Sequence, residues 1–209
     1  AKLGLGNLPA NATVDATFAS GEHDVTVVSP AREEADFDGT LGTLPRLTLA
    51  MPDAALSGEK DAELVVSRVL GEGGMGRVLL AHQHSLNRDV AVKVLKPNSA
   101  TAAGAAALVE EARTTGSLEH PGVVPVYALA RDSNGLPALV MKRVDGVSWR
   151  TLIHNDKHPA NARIARGGDR IEAHFEVLIQ ICNAVAHAHA RGVIHRDLKP
   201  ANILIGELG

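Results

Sequence analysis

Hydrophobic residues fall into regular patterns from about residue 62 onward. Residues 64–70 are apolar and β-branched and run into a cluster of glycines. Residues 77–81 and 89–95 repeat the apolar pattern, which predicts three strands that begin with a hairpin. Residues 102–118 are rich in Ala, Glu, Leu and Arg, all good helix formers, and Pro121 with Gly122 closes that stretch. Residues 123–130 and 138–144 predict two more strands, joined by the turn-forming Asp132-Ser133-Asn134-Gly135. Beyond Gly146 the period becomes helical. Phe175, Leu178, Ile179, Cys182, Val185 and Ala186 recur at helical spacing and draw one apolar face, and Gly192 ends the helix. His189 lies on the next turn of that face, where a hydrogen-bonded histidine at the edge of the core is expected rather than a catalytic one. The basic, polar stretch 154–168, with Asn161, Arg163 and Arg166, is expected to be a loop insertion. Five strands with one inserted helix, followed by helices, make an α+β chain of two lobes.

Residues 1–61 behave differently. They are rich in Ala, Thr, Gly, Pro and acids, and no period outlasts a short run such as Val25-Thr26-Val27-Val28. They read as a mostly disordered leader with one or two loosely held strands; an unrecognised small domain is the alternative. The leader threonines Thr13, Thr17, Thr26, Thr40, Thr43 and Thr48 fit a polar linker better than a set of phosphorylation sites.

Bulk composition narrows the function classes. Aromatic residues are 2% of the 209, so Ala, Val and Leu must fill the core. A net charge of -3 leaves no electrostatic footprint for nucleic acid. The single cysteine, Cys182, excludes an intrachain disulfide and fits a reducing compartment. The sequence has neither a signal-peptide pattern nor an apolar run of about 18 residues, so a cytoplasmic chain without a membrane segment is expected. The missing initiator Met points to a fragment.

Three groups of residues carry candidate chemistry. Gly71-Glu72-Gly73-Gly74-Met75-Gly76-Arg77-Val78 fits G-x-G-x-x-G-x-V, where glycines let backbone N–H groups approach phosphates. An ordinary glycine-rich hairpin has the same look. A dinucleotide fingerprint needs a helix after the loop, whereas here a strand follows. A Walker A loop needs Gly-Lys-Ser/Thr, which is absent. Val90-Ala91-Val92-Lys93 places a lysine on an apolar strand. Buried, that ammonium needs anionic partners; on an edge it would face solvent. Glu110 and Glu111 on the following helix can supply a carboxylate, or can be solvated helix charges. His195-Arg196-Asp197-Leu198-Lys199-Pro200-Ala201-Asn202 is the most specific of the three and matches H-R-D-L-x-x-x-N at every specified position.

With these three motifs in order, residues 62–209 resemble the eukaryotic-type (Hanks-type) protein serine/threonine kinase family, in its bacterial style. The resemblance implies a protein-kinase-like two-lobed fold. Its parts would be a five-stranded antiparallel N-lobe sheet with one helix, then the first helices and catalytic loop of an incomplete helical C-lobe. The implied boundaries are a leader at 1–61, N-lobe and hinge at 62–146, and partial C-lobe at 147–209. The implied activity is transfer of the ATP γ-phosphate to Ser/Thr hydroxyls of protein substrates, with Mg²⁺, or Mn²⁺ in its place.

The resemblance also assigns roles. Asp197 would accept or orient the substrate hydroxyl, Lys199 would neutralise developing charge, and Asn202 would bind Mg²⁺. Lys93 would hold the α- and β-phosphates and pair with Glu111, with Glu110 as the fallback. Gly71, Gly73 and Gly76 would cover the phosphates. Met141 would be the gatekeeper, and Lys142 and Val144 would read the adenine edge through their backbone. Leu70, Val78, Ala91 and Leu204 would sandwich the ring, although each also reads as plain core. Arg196 would answer to a phosphorylated activation loop.

The family's metal-binding Asp-Phe-Gly segment would lie a few residues past Gly209. The expectation is therefore that this chain has no useful transfer activity, and that its long helix exposes an apolar face. A noncatalytic nucleotide-binding pseudokinase or scaffold is the alternative function, and a homodimer is one expectation for its assembly.

Overall fold

The computed structural model describes residues 63–206 apart from Ser133, together with Leu44 and two short strands at Ala12–Thr13 and Leu49–Ala50. The rest of the expected leader, its run at 25–28, its other threonines and residues 207–209 lie outside the described residues.

The described strands begin with two short pieces, β1 (Ala12–Thr13) and β2 (Leu49–Ala50), followed by β3 (Leu64–Glu72), β4 (Gly76–Gln83), β5 (Arg88–Leu95), β6 (Val126–Arg131) and β7 (Pro137–Lys142). The last five form one antiparallel sheet in the order β3-β4-β5-β7-β6. β2 extends this sheet in parallel beside β3. The five expected antiparallel strands are thus all present, and β2 adds a sixth strand in parallel at the edge.

Strand alternation gives the sheet two distinct faces. Leu64, Val66, Leu79, Ala81, Val90, Val92, Ala138 and Val140 form one buried cluster. Their neighbours in sequence point the other way. On that second face the register sets Gly71 opposite Val78, Val78 opposite Lys93, and Ala91 opposite Met141. Helix α1 (Ala102–Gly116) covers part of the second face through Leu108 and Ala112, which pack with Leu139. Thr101 caps α1 by accepting from the Gly104 N–H at 3.1 Å.

Beyond the sheet come β8 (Gly146–Ser148), α2 (Trp149–His154), α3 (Pro159–Ala165), α4 (Arg170–His189), β9 (Val193–Ile194) and β10 (Leu204–Gly206). β1 pairs in parallel with β9, and β8 pairs antiparallel with β10. A Cβ at Gly146 would lie 2.4 Å from the Ile205 carbonyl oxygen, so only glycine allows that close approach. Leu152, Ala160 and Ile205 form the second lobe's core, with Trp149, Ile164 and Val177 packed on it.

Two expectations about this lobe are corrected. The stretch 154–168 is not a loop insertion, because it contains α3. Pro159 opens that helix, His158 caps it by accepting from Ala160 N–H, and Arg166 ends it with φ 47°. Seven residues are too few to draw an apolar stripe. Asn161 is buried, and its Nδ2 donates to the carbonyls of Leu152 (3.1 Å) and Asn155 (2.8 Å), stitching α3 to the end of α2. His189 is exposed rather than set at the edge of the core. Helix α4 buries Ala173 and Ala188, while the predicted apolar face, with Phe175 at 59% and Ile179 at 60% exposure, points outward.

Candidate active site

Lys93 lies on β5 between apolar neighbours and is 4% exposed. Its ammonium donates to both carboxylate oxygens of Glu111, at 2.8 and 2.6 Å, and Glu111 is equally buried. The lysine is therefore not an edge residue facing water. Of the two candidate acids on α1, Glu111 is the one that reaches it. Glu111 is one turn from Leu108 and adjacent to Ala112, so packing α1 on the sheet aims its carboxylate at β5.

The glycine run forms the hairpin between β3 and β4. Gly73 N–H donates to the Gly76 carbonyl at 2.9 Å, closing the tip. A Cβ at Gly76 would lie 2.8 Å from the Val94 carbonyl oxygen and 3.4 Å from Lys93 Cε, so a side chain there would crowd the lysine. Leu70 falls in the irregular stretch of the β3–β4 ladder between Val69 and Gly71. One contact escaped the sequence reading. Glu72 pairs with Arg77 Nε at 2.9 Å and with Lys96 Nζ at 3.6 Å, bracing the hairpin. The signal was present as opposite charges flanking a predicted turn.

Gly71, Val78, Ala91, Lys93 and Met141 thus share one sheet face. At the end of β7 the chain crosses to the second lobe through Lys142, Arg143, Val144 and Asp145. Lys142 N–H donates to the Pro125 carbonyl at 2.9 Å. A cavity of about 710 Å³ lies between this crossing and α4, and of the expected residues it takes in Lys142, Val144, Asn202 and Leu204. The glycine hairpin, Lys93, Glu111, Asp197 and Lys199 do not line it.

The loop after β9 brings three expected residues together. Asp197 Oδ2 receives Lys199 Nζ at 2.7 Å and Asn202 Nδ2 at 3.1 Å. Asn202 Nδ2 also donates to the Asp197 backbone carbonyl at 2.9 Å, and Asn202 is buried. Hydrogen bonding from Lys199 and then from Asn202 holds the Asp197 carboxyl below the usual carboxylate range, so it is ionised at neutral pH. Arg196 carries φ 46°, a left-handed conformation costly for a side chain of its size, and is exposed. His195 is pushed below its ordinary value by burial, and its Nδ1 has no hydrogen-bond partner among the described residues.

A twisted antiparallel sheet with one helix against its site face, joined by a short crossing to a helical second lobe, is the protein-kinase-like fold. Residues 64–209 match the family model described as protein kinase domain. The chain is 39% identical over 146 residues to serine/threonine-protein kinase PknB of Mycolicibacterium smegmatis, which covers 68% of this chain and 22% of that protein. It is 34% identical over 147 residues to serine/threonine-protein kinase PknD of Protochlamydia amoebophila, covering 69% of this chain and 15% of that one. Among solved structures, the kinase domain of Mycobacterium tuberculosis PknI aligns with TM-score 0.50 and 27% identity, over 69% of this chain and 56% of that chain. The chain belongs to the protein kinase domain family, and these relatives are bacterial serine/threonine kinases. It spans 22% and 15% of the length of these two curated relatives.

Proposed function

We propose that this chain forms the ATP site and catalytic loop of a protein serine/threonine kinase, acting on protein substrates. The observation that carries this reading is the Asp197 carboxyl bracketed by Lys199 and Asn202. Phosphoryl transfer goes through a loose transition state, so the protein's task is positioning and charge stabilisation rather than covalent chemistry.

In this reading the sheet face holds the nucleotide. Gly71, Gly73 and Gly76 lie over the phosphates, and Lys93, held by Glu111, pairs with the α- and β-phosphates. Leu70, Val78, Ala91 and Leu204 flank the adenine. Met141 gates the space behind it, and the backbones of Lys142 and Val144 read its edge. Asp197 orients the substrate hydroxyl and can accept its proton. Lys199 leaves the Asp197 carboxylate to meet charge developing on the transferred group. Asn202 turns its N–H toward Asp197 and keeps a carboxamide oxygen as a hard donor, which fits Mg²⁺ or Mn²⁺. A cation held there would supply positive charge to offset that of the phosphates.

The division into a leader at 1–61, an N-lobe with hinge at 62–146 and a partial C-lobe at 147–209 belongs to the same proposal. So does a cytoplasmic location, supported by the need for ATP. No helix among the described residues is long and apolar enough to cross a membrane.

The test is a graft. Residues 64–206 replace the matching segment of the M. smegmatis relative, and radiolabel transfer from ATP to a generic protein is followed. Label on serine or threonine that Asp197→Asn abolishes supports the reading. A folded, ATP-binding graft that transfers nothing contradicts it and favours a noncatalytic nucleotide-binding module.

A further inference from the structure

The crossing between the lobes contains a charge cluster that none of the roles above uses. Arg143 NH1 lies 2.6 Å from Asp89 Oδ2, and Arg143 NH2 lies 2.9 Å from Asp145 Oδ2. Asp89 is on β5, two residues from Ala91 and four from Lys93. Asp145 directly precedes Gly146, the residue packed against the Ile205 carbonyl. One guanidinium therefore spans the sheet, the crossing and the entry to the second lobe. On the other side, the same segment is pinned by the Lys142 N–H to the Pro125 carbonyl.

We propose that Arg143 is a positioning residue for adenine recognition: by forking between Asp89 and Asp145 it sets the backbone of residues 142–144 against the sheet. The inference rests on the nucleotide site proposed above. The chemistry favours arginine. Its planar fork presents two N–H edges to two different carboxylates, which a lysine ammonium cannot match in the same geometry. The Asp89 carboxyl is also a stable partner. His82 first, then Arg143, holds it below the usual carboxylate range, so it stays ionised at neutral pH.

A solvent-exposed ion pair adds little stability by itself. The effect of Arg143 should appear in ligand geometry, and only for the part of the ligand that meets the crossing. Two ligands separate the contributions. ATP contacts both the crossing and the glycine hairpin, whereas inorganic tripolyphosphate contacts the hairpin and Lys93 alone.

Binding of both is measured by titration calorimetry on the 209-residue chain, alongside melting temperature. Arg143→Ala is expected to weaken ATP about five-fold, roughly 1 kcal/mol, and leave tripolyphosphate unchanged. Asp89→Asn should reproduce part of this loss, and the double variant should be no worse than Arg143→Ala. Arg143→Lys should recover only part of the affinity. Lys93→Met should weaken both ligands. ATP affinity unchanged in Arg143→Ala overturns the positioning role while leaving the nucleotide site standing. Equal weakening of both ligands overturns it too, as a general loosening of the lobe. Wild-type chain that binds ATP no more tightly than tripolyphosphate overturns this inference and the nucleotide site together.

Discussion

The sheet of the first lobe leaves Val90 and Val92 with no exposed surface and buries even a lysine and a glutamate, whereas α4 in the second lobe leaves Ile171, Phe175 and Ile179 about 60% exposed. Both regions are rich in aliphatic residues, so hydrophobicity alone does not explain the contrast. Apart from irregularities at 66–71 and 126–128, the strands alternate, and alternation sorts their residues into a core face and a second face. α4 is apolar on two sides, and its neighbours cover only the side with Ala173 and Ala188. The first lobe is thus closed around its own residues and can hold a charged pair in register. The second presents a large apolar face of the kind that drives association.

The sharpest way to break this contrast is at the buried pair. Lys93→Met removes the ammonium paired with the buried Glu111 carboxylate, and removing one partner of a buried pair costs about 3–5 kcal/mol. Urea unfolding should show that loss together with loss of nucleotide binding. Lys93→Met with Glu111→Leu should regain the stability and not the binding. Stability that returns only with the charges restored would mean the pair is structural first.

In the second lobe the largest effect should come from Leu152, which is fully buried. Leu152→Ala should cost about 2–5 kcal/mol by cavity formation. Asn161→Ala should cost about 1–3 kcal/mol, because the carbonyls of Leu152 and Asn155 lose their donor. A similar loss in Asn161→Leu, which keeps about the size but not the donor, would confirm the hydrogen bonds as the cause.

Acid should separate the lobes further. Burial pushes His174, His187 and His195 below the ordinary value of 6.5. The unfolded chain then takes up protons that the folded chain refuses, so stability is full above that value and falls as pH drops below it. The carboxylates held low, Asp89 and Asp197 among them, lose their contribution only nearer pH 4. Melting temperature should therefore drop between pH 7.5 and 5.5, and hydrogen exchange should quicken in α4 and β9 before the sheet. The smallest effect is expected on the outward face of α4. Phe175→Ser should change stability by no more than about 0.5 kcal/mol and raise solubility.

Period was the legible part. Alternation located the five antiparallel strands, with edges shifted where caps and turns decide them. β6, for example, starts at Val126 because Val123 is taken up in a turn onto His120. The loop at 195–202 was legible because its residues are contiguous. Lys93 and Glu111 were legible as candidates, but which acid turns inward depends on how α1 packs. α3 was missed because seven residues show no stripe, and its signals, Pro159 and a histidine cap, are weak alone. Arg143 was missed because its partners are 54 and 2 positions away, and only folding brings Asp89 to it.

In the proposed function, the sheet face carrying the glycine hairpin, Lys93 and the crossing at 142–146 holds the nucleotide. Hydrogen exchange with and without ATP and Mg²⁺ tests it most directly. Slowed exchange is expected in 71–78, in 90–94 and at 142–146, abolished by Lys93→Met, with α4 unchanged at 175–182. No slowing at these segments, or slowing confined to α4, would contradict it.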